Sequence, residues 1–287
     1  MNKKLSRIAL ALMCTVPFSQ AAFSAAADIV FVVDESSSMG GEHSWISNMV
    51  TSLENALIAA GVGNGMDQNR YALVGFGDAS IIGGHSYNVG SGTWGTAADL
   101  SAATASLLTD GGTEDGWDGI NTGLGLTFRP GVAKNMILIT DEDRDQFNGG
   151  LTFGGVLAGL MGQNFLLNAV VNYGYQDGAS NTAFGIDSAG NAYLEDGFGS
   201  YNTSTGGVPV SGFGTTQADY INLALGTGGA SWDLNVLRLG GLSAQAFTEA
   251  FVDIKVNEIT EQVPLPAVPA LMMFGLLGWW QLRRKRV

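Results

Sequence analysis

The chain has 287 residues, 46% hydrophobic and only 14% charged, a balance that supports a folded core and excludes a disordered polyelectrolyte. Its 13 basic and 26 acidic residues give a net charge of −13, spread unevenly. Lys3, Lys4 and Arg7 lie near one end and Arg283, Arg284, Lys285 and Arg286 near the other, so the body from Asp28 to Glu261 carries −20, which repels phosphate backbones, excludes nucleic acid as a partner and favours cations.

Residues 1–27 read as a secretory signal peptide: Lys3, Lys4 and Arg7 form a basic start, Ile8 to Phe18 an apolar stretch, and Ala21 to Ala27 a small-residue cleavage region. The apolar part is too short to span a bilayer comfortably. Cys14, the only cysteine, lies inside this segment behind Met13, where a lipoprotein signal has a small residue. Cleavage therefore leaves an exported body, 28–262, with no disulfide, which must rely on its core or on bound metal for stability.

Within the body, Ile29 to Val33 is a buried-strand run ending at Asp34. A helix follows, with Trp45, Ile46, Met49, Val50, Leu53, Ala56, Leu57 and Ala60 at helical spacing. Tyr71 to Phe76 predicts a second strand, and Ala97 to Leu108 and Trp117 to Leu126 predict helices. Met136 to Thr140 and Phe165 to Tyr173 are further buried strands, and Ala244 to Ile259 closes the body as an amphipathic helix. Strands alternating with helices predict an α/β fold, doubly wound, with a mainly parallel central sheet flanked by helices. Residues 176–214 break the alternation: rich in Gly, Ser, Asn and Thr, they read as a loop insertion on the rim of the sheet, with a hairpin around Ile186 to Tyr193 turning at Ala189-Gly190-Asn191.

Residues 263–287 form a second composite signal. Val263-Pro264-Leu265-Pro266-Ala267 precedes an apolar run that reads as one transmembrane helix over 267–282, with Trp279 and Trp280 at its interfacial end and a basic tail beyond. This arrangement resembles the PEP-CTERM sorting signal of Gram-negative bacteria, with Leu265 where that family most often has Glu. The resemblance implies processing by an exosortase, anchorage in the inner membrane before sorting, and release to the cell surface or extracellular matrix. A plain tail anchor is the alternative; both place the body outside the cytoplasm.

Three places supply hard oxygen donors. Asp34-Glu35-Ser36-Ser37-Ser38-Met39-Gly40 follows a buried strand and precedes a helix, and the alternation Asp34, Ser36, Ser38 puts one carboxylate and two hydroxyls on one side of a tight turn. Gly111-Gly112-Thr113 adds a hydroxyl, and Asp141 ends the Met136-to-Thr140 strand. Such a set suits Mg²⁺, with Mn²⁺ or Ca²⁺ as alternatives, better than a soft metal. Loops at the carboxyl ends of neighbouring parallel strands converge at a topological switch point, where a shared site is physically sensible.

Asp34-x-Ser36-x-Ser38, Thr113 and Asp141, in this order, resemble the metal-ion-dependent adhesion site of von Willebrand factor type A domains, a Rossmann-like fold. The likeness extends over about residues 28 to 260, including the Gly228-Gly229 turn. It implies that Ser36, Ser38 and Thr113 contact the metal directly, that Asp34 and Asp141 hold it through water, and that one position stays open for a partner's Asp or Glu carboxylate. The implied function is non-catalytic binding of a protein or matrix ligand. Alternatively, the chain is a structural matrix component in which metal only stabilises the fold.

Taken singly, Asp34, Ser36 and Ser38 are also good helix caps. Asp141-Glu142-Asp143-Arg144-Asp145 fails as an EF-hand, having Gln146 and Thr152 where Gly and Glu are needed. An apolar strand followed by Asp-x-Asp resembles haloacid-dehalogenase phosphatases, which implies Asp141 as nucleophile and Asp143 as acid/base; Asp145 stands where that family has Thr or Val. His43 and His85 are far apart with no cysteine to join them, which argues against a zinc site. Trp45 and Trp117 read as core anchors.

Overall fold

The structure, a computed structural model, describes residues 26–263. The predicted signal up to residue 25 and the predicted sorting signal and membrane helix from residue 264 onward lie outside the described residues. Among the described residues, no helix is long and apolar enough to cross a membrane.

The elements in chain order are β1 (Ala27–Asp34), α1 (Glu42–Ala59), β2 (Arg70–Phe76), β3 (His85–Ser86), α2 (Ala97–Ala103), α3 (Gly116–Leu124), β4 (Ala133–Ile139), α4 (Phe153–Gly162) and β5 (Phe165–Val171). There follow β6 (Tyr173–Gln176), β7 (Thr182–Ala183), β8 (Gly185–Asp187), β9 (Asn191–Glu195), β10 (Tyr201–Thr205), β11 (Val208–Gly212), α5 (Asn222–Gly226), β12 (Ala230–Asp233), α6 (Leu234–Leu239) and α7 (Gly241–Gln262). Nine strands form the main sheet in the order β10-β9-β8-β12-β5-β4-β1-β2-β3. The middle five, β12 to β2, run parallel, as the alternation of strands and helices predicts.

Continuous apolar runs become central strands because both faces are covered. Along β1, Ile29, Phe31 and Val33 join a core with α1, α2 and α7, while Val30 and Val32 join a second core with α3, α4 and α5. Trp45 packs edge-on against Phe247 and Phe251 of α7. Trp117 is 5% exposed, and both indoles act as core anchors. The first strand starts inside the segment read as signal: Ala26 and Ala27 are fully buried, and Ala26 accepts a backbone bond from Ala133.

Three elements differ from expectation. The 97–108 helix stops at Ala103 and passes through one tight 3-10 turn, because Leu108 N–H is drawn to the Glu35 carboxylate at 2.7 Å. The 165–173 strand ends at Val171, and Tyr173 starts β6 in a separate three-stranded sheet with β7 and β11. The 176–214 insertion is not a loop on the rim. Its hairpin, paired Gly185 to Tyr193 and Ile186 to Ala192, extends the main sheet through β8, β9 and β10, with β8 antiparallel to β12. Burial holds it there: Tyr193 stacks on Trp232 at 5.2 Å, and Phe184 packs on the other side of the same indole environment with Phe247.

Strand order reverses at β1, with β2 on one side and β4 on the other. The loops leaving β1 and β4 therefore diverge into a crevice at the carboxyl end of the sheet. Asp34 ends β1 and Asp141 lies just beyond β4 at this crevice.

Candidate metal centre

Backbone hydrogen bonds draw three loops together. Ser37 N–H donates to Gly111 O at 3.1 Å, and Gly111 N–H returns to Glu35 O at 3.4 Å. On the other side of Thr113, Glu114 N–H donates to Asp145 Oδ2 at 3.0 Å and Asp145 N–H to Glu114 O at 2.8 Å. Thr113 is thus fixed between the loop after β1 and the loop after β4. Gly111 is required for this closeness, since a Cβ there would lie 1.5 Å from the Gly77 carbonyl oxygen.

The side chains form a chain of oxygen atoms. Ser36 Oγ lies 2.9 Å from Ser38 Oγ, and Ser38 Oγ donates to Asp141 Oδ1 at 2.9 Å. Asp34, fully buried, accepts from Ser36 N–H at 2.7 Å through Oδ1 and from the Thr140 hydroxyl at 2.7 Å through Oδ2. His43 Nε2 lies 3.0 Å from the Asp34 carbonyl. Neither Ser36 nor Ser38 caps a helix: the turn after Ser36 has no side-chain cap bond, and α1 begins after Gly41 without one. Thr113 is half-buried, and its hydroxyl makes no hydrogen bond to the other four side chains among the described residues.

The centre crowds carboxyl groups together, and burial resists their ionisation. Burial, reinforced by the Asp141 carboxylate, pushes Asp34 up to about 7 despite the bonds from Thr140 and Ser36. Glu114, 2% exposed, is pushed up to about 8 by burial and by the charges of Asp34 and Glu142, and its Oε2 is buried without a hydrogen-bond partner. Burial and the Asp141 charge also raise Glu142. The donors are all oxygens, two of the carboxylates are deeply buried, and one carboxylate oxygen is orphaned, so a hard divalent cation fits the centre.

Sequence reasoning missed four contributors: His43, Glu114, Thr140 and Arg238. Arg238, on α6, donates from Nη2 to Asp141 Oδ2 at 2.8 Å and from Nε to Glu42 Oε1, placing a guanidinium at the edge of the centre. Thr140 and Glu114 adjoin predicted residues, and that adjacency was the available signal; nothing in the sequence marks Arg238. The acidic loop is also less solvated than its composition implies. Arg144 is buried in a two-pronged ion pair with Asp115 and lies over the Trp117 ring. Asp143, the acid/base of the phosphatase reading, accepts instead from Thr215 N–H and Oγ1 at 2.9 and 3.1 Å.

Residues 28–153 match the family model of the von Willebrand factor type A domain, a span that contains all five predicted site residues. No curated protein matches the chain. Among solved structures, proximal thread matrix protein 1 from the mussel byssus is 22% identical, covering 52% of this chain and 36% of its own, with a TM-score of 0.39; it has also been solved with a zinc-occupied MIDAS motif. The vWF domain of a type V pili tip protein from Porphyromonas gingivalis is 26% identical over 43% of this chain and 40% of its own, TM-score 0.32. A pilus adhesin from Lactobacillus rhamnosus GG is 17% identical over 83% of this chain and 31% of its own, TM-score 0.46. The chain thus spans well under half the length of these structures.

Proposed function

We propose that the body is a von Willebrand factor type A domain that acts outside the cytoplasm, binding a protein or matrix ligand through Mg²⁺ without catalysis. The observation that carries this reading is the convergence of the Asp34-to-Ser38, Gly111-to-Glu114 and Asp141-to-Asp145 loops through reciprocal backbone hydrogen bonds. Ser36, Ser38 and Thr113 would hold the ion directly, with Asp34 and Asp141 acting through water. The ion supplies a Lewis-acidic position for a ligand carboxylate. The chain's own residues fix the oxygens, and Asp34 gives up its proton when the cation arrives. The predicted secretory signal at residues 1–27 and the predicted sorting signal and membrane helix at residues 263–287 support a path across the inner membrane, through exosortase processing, to the cell surface or matrix.

Calorimetric titration of the full-length chain with Mg²⁺ tests the centre: one site is expected, lost in Asp34→Ala and Thr113→Ala. Unchanged binding in both variants would sink the assignment. Pull-down from the producing cell's surface with and without chelator then separates the roles. A chelator-sensitive carboxylate-bearing partner supports ligand binding, and its absence favours a structural matrix role for the metal.

A further inference from the structure

On the other side of the β1 terminus, Glu35, Asp78 and His85 converge from the turn after β1, from the loop after β2 and from β3. Glu35 is fully buried, Asp78 is 1% exposed, and the His85 side chain is 17% exposed. One donor atom from each lies within 4.8 Å of the other two. His85 Nε2 is 3.0 Å from Glu35 Oε2 and 3.6 Å from Asp78 Oδ2.

Each carboxylate is held by one oxygen and bare at the other. Glu35 Oε1 accepts from Tyr87 OH at 2.5 Å and from Leu108 N–H at 2.7 Å, while Oε2 has no hydrogen-bond partner. Asp78 Oδ1 accepts from Ser80 N–H and Oγ, both at 2.6 Å, and from Ile81 N–H at 2.8 Å, while Oδ2 has none. His85 Nδ1 faces the Gly83 carbonyl at 3.0 Å. A carbonyl only accepts, so Nδ1 carries a proton; Nε2 lies 3.4 Å from the Tyr87 hydroxyl and, once deprotonated, offers its lone pair on the side of the two bare carboxylate oxygens. Two buried carboxylate oxygens without hydrogen-bond partners face the same imidazole nitrogen and call for positive charge among them. A proton on Nε2 pairs with Glu35 Oε2 at 3.0 Å and leaves Asp78 Oδ2, 3.6 Å away, without a hydrogen bond. Gly75 leaves the room, because a Cβ there would fall 1.9 Å from Glu35 Oε2.

The geometry points to a second metal site, formed by Glu35, Asp78 and His85 and selective for Zn²⁺. Two carboxylates cancel the charge, and the imidazole selects a borderline metal over Mg²⁺. Bonds of 2.0–2.1 Å in a tetrahedron place ligand atoms about 3.3 Å apart, between the two nitrogen-to-oxygen distances here. The partly exposed His85 leaves a fourth position for water. The outer hydrogen bonds from Tyr87, Ser80, Ile81 and Gly83 orient the donors as the surroundings of metal sites do. The site also braces the neighbouring centre, since the Glu35 carbonyl holds Asp110 and Gly111 N–H at 3.2 and 3.4 Å in the loop that carries Thr113.

The test is a titration of the full-length, metal-stripped chain, preloaded with Mg²⁺, using Co²⁺ as the spectroscopic probe and Zn²⁺ as competitor. We expect intense visible bands of four- or five-coordinate cobalt at one equivalent, displaced by Zn²⁺. They should persist in Asp34→Ala and weaken in affinity by at least ~100-fold in His85→Gln and Asp78→Asn. Loss of the bands in Asp34→Ala, or their retention in His85→Gln, overturns the proposal. Folding of the variants is bypassed by following imidazole nitrogens in the unsubstituted protein, which has only two histidines. One equivalent of Zn²⁺ should shift His85 Nε2 and leave His43 in place; an unmoved His85 overturns the site.

Discussion

Without metal, the centre should make the fold less stable as pH rises, the reverse of ordinary carboxylate behaviour. Asp34 ionises near 3.8 when unfolded and near about 7 when folded. A group with a raised folded value contributes stability that is complete below the unfolded value and is lost as pH climbs through the folded one. A gap of roughly three pH units is worth about 4 kcal/mol at ~1.4 kcal/mol per unit. Glu114, moving from 4.5 to about 8, acts in the same direction and shares its cause, so the two are not added. About two of those units lie between pH 5 and the folded value, roughly 3 kcal/mol, so at ~2–4 °C per kcal/mol for a body of this size the melting temperature in chelator should fall by about 5–10 °C between pH 5 and 8. Saturating Mg²⁺ binds the deprotonated form and should remove most of that fall. His85, raised by its contact with Glu35, also loses its contribution as pH rises, so Asp34→Asn is the control that isolates the metal centre. Asp28, where burial is outweighed by bonds from Arg70 and Arg129, is lowered and titrates below this window. Thermal unfolding by circular dichroism, with chelator and with Mg²⁺ at each pH, reads the effect. A flat or rising chelator curve, or an equal Mg²⁺ increment at pH 5 and pH 8, would refute the reasoning.

Two further outcomes follow from the ion pairs around the loops. Asp115→Ala strands the buried Arg144 guanidinium and frees the Asn148 N–H now bonded at 2.8 Å, and should cost ~3–5 kcal/mol in urea unfolding; a loss below ~1 kcal/mol would show that the pair is dispensable. Arg238→Ala removes a cation from Asp141 and should tighten Mg²⁺ binding about threefold to tenfold at low salt, an advantage that fades as salt is added. Calorimetry showing weaker binding would mean that Arg238 orients Asp141 more than it repels the ion.

The central sheet was legible because Ile29 to Val33 and Met136 to Thr140 are unbroken apolar runs ending in Asp34 and Asp141, a pattern that only a doubly covered parallel strand satisfies. The insertion was not legible. Tyr201–Thr205 and Val208–Gly212 are short and polar, and their pairing is decided by distant partners rather than by their own periodicity. Helix α4, Phe153–Gly162, hides behind its glycines. In the centre, the residues in sequence motifs could be named, but Arg238 reaches Asp141 across 97 positions because α6 follows β12, whose place in the sheet no local pattern announces. His85 looked solitary because Glu35 and Asp78 meet it through strand pairing, Gly75 opposite His85, that no spacing announces.

Strand β12 lies between β5 and β8, so its place in the sheet closes the whole stretch from Asn172 to Gly229. The contacts it closes differ in sequence range. Strands β1, β2 and β4 and the three converging loops lie within one continuous run of chain, whereas β12 joins β5 only across a long crossover, at a greater loop-closure cost. Helix α6 follows β12 directly, so the place of β12 in the sheet also sets where Arg238 meets Asp141. In the finished fold, therefore, the closing of the long β5-to-β12 crossover and the placing of Arg238 beside Asp141 belong to one and the same piece of chain.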